Sequence, residues 1–264
     1  MKKLLYLFVA AGLLMTTACK KDKDGEGDDE NGLNPTQTQN GFAINYTATW
    51  CGHCGNWGAP LIHDYAKDAP NGVAICAHAS GDPMNSSLYN SFRSDRTTGG
   101  GIPSFWVGDQ KTTNKGAMKA LLNQAAPCGV DYKYSVSDGK MTVDTKVKFF
   151  QGAQGDYYLS VLVLEDGING NSSAGQYKQS GTSQSYPNDD YKHDFVLRAS
   201  AQSGNAYGEM IVQNPAADKE IEKSYTINVD ASWKNPYAVC IIWKKDASGG
   251  APNYKFVNSL KKKN

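Results

Sequence analysis

The sequence has no excess of either charge: 27 Lys and Arg stand against 26 Asp and Glu, a net charge of +1 over 264 residues. Lys2 and Lys3 lie in a segment expected to be removed, which leaves about −1. No long basic stripe compensates, so nucleic acid is excluded as a partner. After residue 18 no apolar run approaches the roughly 20 residues that a spanning helix needs, which excludes a polytopic helical membrane protein. Internal repeats are absent. So is a second close Cys/His pair beside Cys51 and Cys54, and that argues against a zinc site. What remains is 40% hydrophobic and 20% charged. Such a chain is mostly globular and long enough for about two domains.

Residues 1–18 combine a short basic start, an apolar run from Leu4 to Met15 and the small residues Thr16, Thr17 and Ala18. That is the pattern of a secretory signal. Cys19 follows directly, as a lipoprotein signal requires, and is expected to carry a lipid anchor; the alternative is an ordinary signal with an incidental cysteine. Residues 19–40 hold almost no apolar side chains and read as a flexible acidic and lysine-bearing tether. The charged start Lys20-Lys21-Asp22-Lys23-Asp24 resembles the signal that sends some Bacteroidetes lipoproteins to the cell surface. The expected location is the outer membrane, lipid-anchored, facing periplasm or surface.

From Phe42 the pattern changes. Phe42–Thr47 is β-prone, helix-compatible sequence runs from Cys51 to about Lys67, and Gly72–His78 is an apolar run suited to a strand buried on both faces. A polar helix is expected over Met84–Arg96, a hairpin over Pro103–Val107 and Lys111–Thr113, and a last helix over Lys115–Ala126. This order predicts an α/β unit over 41–128. Beyond Gly129 the period becomes two. Val143, Thr145, Val147 and Phe149 share one face while Asp144, Lys146 and Lys148 share the other. Further strands are expected at Asp131–Val136, Tyr157–Glu165, His193–Ala199, Tyr225–Val229, Ala238–Lys244 and Tyr254–Leu260. They predict an antiparallel, immunoglobulin-like β-sandwich over 129–264. Gly167–Asp190 is a long Gly/Ser/Asn/Gln stretch, of the kind that is functional or disordered.

The chemistry centres on Trp50-Cys51-Gly52-His53-Cys54. Two cysteines three apart at a helix start form a reactive pair, because the unpaired N–H groups and the positive end of the helix favour a thiolate at Cys51. Cys51 is the expected nucleophile and Cys54 the resolving thiol. His53 between them favours the reduced dithiol and so makes the oxidised pair the better oxidant. A copper site with His78 and a plain structural disulfide are the alternatives.

Asn45–Cys54 resembles the strand-to-active-site segment of thioredoxin-fold proteins, especially the exported TlpA-like branch, and Cys-Gly-His-Cys is similar to the core of protein disulfide isomerases. Gly101-Ile102-Pro103-Ser104 resembles the cis-proline segment of that family. The resemblance implies a cis Ile102–Pro103 bond, an Ile102 backbone available to an extended substrate, and Trp50, Ile102 and Pro103 shaping the site. Pro60 resembles the proline that kinks the active-site helix. A typical thioredoxin carries a buried carboxylate six residues before its first cysteine; here that residue is Asn45, which cannot titrate. Over the whole chain, the layout and the segment Tyr191–Arg198 resemble the Omp28-type outer-membrane proteins of Bacteroidetes.

The resemblance implies a thioredoxin-like domain followed by the sandwich, and thiol–disulfide exchange on exported proteins, with no cofactor beyond the Cys51–Cys54 disulfide and with a membrane redox partner. A surface-exposed binding or adhesion lipoprotein on an inherited scaffold is the competing expectation. Of the other cysteines, Cys76 and Cys240 read as buried hydrophobes, and Cys128 could bridge to Cys240. None of the three is expected to be catalytic.

Overall fold

The computed structural model describes residues 32–96 and 99–262; the signal segment, Cys19 and the first part of the tether lie outside them. The first half contains β1 (Phe42–Thr47), a helix opening on a wide π turn (Cys54–Gly58) and continuing as α1 (Ala59–Asp68), then β2 (Val73–His78) and α2 (Leu88–Asp95). β3 (Ser104–Val107), β4 (Gln110–Lys111) and α3 (Ala117–Leu122) complete it. Then come β5 (Cys128–Ser137), β6 (Lys140–Phe149), β7 (Asp156–Glu165), β8 (Ile168–Asn169) and β9 (Lys192–His193). The chain ends with β10 (Val196–Ser200), β11 (Glu209–Gln213), β12 (Glu220–Asn228), β13 (Pro236–Lys245) and β14 (Tyr254–Lys261). Strand dominates and helices are few. Among the described residues no helix is long and apolar enough to cross a membrane.

β1 pairs parallel with β2 on one side and antiparallel with β3 on the other, and β3 turns at Gly108 into β4. The larger sheet has the order β14-β13-β7-β10-β2-β1-β3-β4, with β11 also on β7. A three-stranded sheet, β12-β6-β5, faces part of it. Alternation along β7 explains the layers. Val161 and Val163 join the core shared with Val143, Val147 and Phe149 of the smaller sheet, while Leu162 and Leu164 join the core of Phe42, Ile44 and Trp243. A strand buried on both faces reads as a near-continuous apolar run, and Val161–Leu164 does, with buried Ser160 before it bonded to Ala206 O.

The expected boundary at 128/129 is corrected by this sheet. Strands from both halves are hydrogen-bonded neighbours: Cys76 N–H donates to Phe195 O at 2.8 Å, where β2 meets β10. Leu33–Asn264 is one compact unit. The physical reason is the edge of β2, which would otherwise present unpaired backbone groups; β10 covers it. The expected tether also ends earlier than residue 40. Leu33 is buried, Asn40 N–H donates to Asn258 Oδ1 at 2.9 Å, and Asn40 Nδ2 donates to Ser259 O at 2.8 Å. Asn40 of this segment finds its partners on β14.

Arg96 joins the halves a second time. It is fully buried, with its guanidinium 4.8 Å from the Trp243 ring and in contact with the rings of Phe42, Trp106 and Tyr207. Asp95 at 3.1 Å and Asp109 at 3.4 Å balance its charge, and it donates to Tyr254 O at 3.1 Å.

Candidate functional site

Cys51 stands between the end of β1 and the first helical turn, and it is bonded to Cys54 in a disulfide with a Cα–Cα distance of 5.2 Å. Cys54 N–H points at Cys51 Sγ at 3.2 Å and Gly55 N–H at Cys51 O at 3.3 Å. Gly55 thus makes an ordinary helical bond, while Cys54 N–H, at the helix N-terminus, is shared between Cys51 O at 3.1 Å and the first sulfur. Cys51 is 8% exposed and Cys54 is buried behind it, whereas Trp50 is 60% exposed. His53 is exposed beside them.

The Ile102–Pro103 peptide is cis, and Ile102 O lies 3.6 Å from Cys51 Sγ. Gly58 allows this approach: a Cβ there would sit 3.0 Å from Pro103 Cβ. The structure therefore brings Ile102 and Pro103 beside the Trp50–Cys54 segment that carries Cys51, His53 and Cys54. Pro60 follows the π turn; having no N–H, it leaves Asn56 O without its usual partner four residues on. Ser185 Oγ donates to that oxygen.

Asn45 is buried on β1, beside Cys76 of β2. The buried carboxylate of the site is elsewhere, at Asp82 after β2. Its Oδ2 accepts from Thr49 N–H at 2.6 Å and Thr49 Oγ1 at 2.9 Å, and its Oδ1 accepts from Met84 N–H at 2.9 Å. His78 Nδ1 is 3.0 Å from Asp82 Oδ1. Burial alone would push the Asp82 carboxyl up. His78 and the two backbone donors outweigh it and hold the group well below the usual carboxylate range. Asp82 thus stays ionised and holds Thr49, two residues before Cys51.

His78 is not brought to the cysteines as a third ligand. Its ring lies 5.6 Å from that of His193. Burial, then the neighbouring His78, lowers His193 to about 4, so it is neutral near pH 7. His193 Nε2–H then donates to Tyr177 O at 2.7 Å. Among the described residues no group of three or more His, Cys, Asp or Glu side chains is arranged to hold a metal.

Sequence reasoning missed the segment that lies over this site. Residues 170–190 are ordered, with short 3-10 turns at Gly175–Tyr177 and Thr182–Gln184. Gln179 is 3% exposed, and its Nε2 lies 3.1 Å from each of the carbonyl oxygens of Ala48, Thr49 and Cys51. Ser180 N–H donates to Thr49 O at 2.7 Å. The only signal for this in the sequence was the unusual length of the polar loop.

The pairing that the sequence leaves open is settled without a bridge between Cys128 and Cys240: Cys76, Cys128 and Cys240 are all free and buried. Cys128 and Cys240 lie in the core between the sheets and Cys76 in the core under α1, where they pack as apolar side chains. Burial pushes all three thiols far up, which removes the reactive thiolate.

Among solved structures, the chain is similar to HBP35 of Porphyromonas gingivalis, with a TM-score of 0.63 and 18% identity, over 86% of this chain and 75% of that one. At that identity the likeness is one of fold. No curated protein matches. Residues 105–254 match the family described as Outer membrane protein Omp28. The match begins after the Cys51–Cys54 pair and Pro103, so it rests on the β-rich part. It covers more than half of the chain, which therefore belongs to the Omp28 family of outer membrane proteins and has the outer membrane as its location.

Proposed function

We propose that this protein is a thiol–disulfide oxidoreductase acting on exported proteins through Cys51 and Cys54. The observation that carries the reading is the Cys54 N–H aimed at Cys51 Sγ at 3.2 Å, since a donor in that position stabilises a thiolate. The strand order β2-β1-β3-β4 with β3 antiparallel, the helix after the pair and the cis Pro103 support a thioredoxin-like layout for the first half.

In the reduced form the Cys51 thiolate attacks one sulfur of a substrate disulfide. A Cys51–substrate bond forms, the substrate S–S bond breaks, and the released sulfur takes a proton. Cys54, losing its proton, then attacks Cys51. The Cys51–Cys54 bond forms, the mixed disulfide breaks, and the substrate leaves as a dithiol carrying two electrons more. Run backwards, the same steps oxidise a substrate dithiol. Net direction follows from the potentials of the pair and of a second, membrane-held dithiol or disulfide partner that restores it. Trp50, Ile102 and Pro103 supply the surface against which an extended substrate lies, and Asp82 acts as a positioning residue through Thr49.

Replacing the resolving thiol tests this. Cys54→Ser is expected to accumulate mixed disulfides with exported proteins, visible on non-reducing gels and lost on reduction, while Cys51→Ser forms none. An empty trap in the Cys54→Ser cells overturns the proposal.

A binding role for the second half is the competing reading. In its favour is a cavity of about 320 Å³ lined by Glu165, Asn169, Tyr177, Arg198 and Trp233, which mixes an aromatic face with charged groups. Ligand screening against the Cys51→Ser protein would separate the two.

A further inference from the structure

Cys51 is almost covered although its neighbours Trp50 and His53 are open to solvent. A piece of chain more than a hundred residues away packs on the backbone of the segment that carries it. We propose that residues 178–186 form a strap that selects what reaches the pair, admitting sulfur carried on a small molecule or an extended segment and refusing sulfur set in a folded surface. The proposal deepens the redox reading above and rests on it.

The strap is built to fit. Its contacts are to backbone, not to chance side chains: Gln179 Nε2 to three carbonyls of the loop 48–51, Ser180 N–H to Thr49 O, and Ser185 Oγ to the Asn56 oxygen that Pro60 leaves open. Two glycines let the main chains meet. A Cβ on Gly181 would fall 2.0 Å from Gly52 O, and one on Gly55 would fall 2.1 Å from Ser180 O. Gly181 also has φ +80°, which side-chain-bearing residues rarely adopt. The far end of the strap is fixed as well, by Gln179 N–H on Gly170 O at 2.9 Å and by His193 on Tyr177 O.

The consequence is steric. Opening the disulfide requires an incoming sulfur in line with the S–S bond at Cys51. With one flank of the 49–56 segment occupied by the strap, approach is left to the side where Trp50, His53, Gly101 and Ile102 are at least partly open. A chain in extended form fits such a slot. A folded domain must push the strap aside first.

Gly181→Val tests this without altering the pair or Gln179. The added side chain collides with Gly52 and displaces the strap. The rate at which the Cys51–Cys54 disulfide of the full chain opens is followed by alkylation and mass spectrometry, with dithiothreitol as the small dithiol and reduced thioredoxin as the folded one. The variant is expected to speed opening by the folded dithiol about tenfold, and by dithiothreitol less than about twofold. Gln179→Ala, which removes three carbonyl contacts, is expected to shift the same ratio and carries the test if Gly181→Val does not fold. An unchanged ratio in a folded variant overturns the strap. Because the assay reads access and not turnover, a shifted ratio with an empty mixed-disulfide trap overturns the enzyme reading alone, and a loaded trap with an unchanged ratio overturns the strap alone.

Discussion

His193 links protonation to the stability of the region that holds the strap. In the folded protein it is buried and lowered to about 4 from 6.5, so the unfolded chain takes up a proton while the native one refuses it. Stability is therefore highest above pH 6.5 and falls as pH drops toward 4. The gap corresponds to about 3 kcal/mol in total, of which about 2 kcal/mol is already lost at pH 5. His78, Asp82, Arg198 and Tyr191 face the imidazole. Asp82 acts in another window: its carboxyl is held below the ordinary range, so its contribution persists down to about pH 4 and disappears below. Urea unfolding at pH 7.5 and pH 5 reads the effect. With a slope of about 2–3 kcal/mol per molar for a chain of this size, the wild-type midpoint should fall by about 0.7–1 M more than that of His193→Gln. Parallel falls in the two proteins would refute the reasoning.

Two further outcomes follow from burial. Arg96→Met should cost about 3–5 kcal/mol in urea unfolding, because it leaves Asp95 and Asp109 without their counter-charge; Arg96→Lys should restore less than half, since a compact ammonium cannot fill a cage of four rings. After mild reduction of the native protein, iodoacetamide should label Cys51, whereas Cys76, Cys128 and Cys240 should label only in denaturant. Peptide mapping by mass spectrometry checks this.

Local features were legible in the sequence wherever one element contained its own explanation. Cys51 and Cys54 announce themselves because a strand ends and a helix begins around them, and β6 shows its two faces in plain alternation. Pairings between distant elements left no such trace. The apolar run at β2 reads the same whether its second neighbour is solvent, another α/β strand or β10, so the continuous sheet was not visible. Gln179 sits in a stretch of Gly, Ser, Asn and Gln with no period, and an amide that binds three carbonyls looks like any loop amide. Arg96 closes a polar helix, where a charged residue ordinarily meets water; its cage is assembled from β1, β3, β13 and Tyr207. β11, a partly exposed strand on β7, lacked the alternation that marks β6.

The pairing of β2 with β10 bears on how the molecule is made. Cys51 and Cys54 are made well before β10, the strand that completes the sheet on the β2 side, and β13 and β14 come later still. Non-local pairing of this kind is slow, and until it is achieved the margin of β2 is a sticky template for other newly exported chains. Cutting the chain after residue 128 would thus yield not a smaller copy of the first half but an unfinished one, with the growing side of β2 left open.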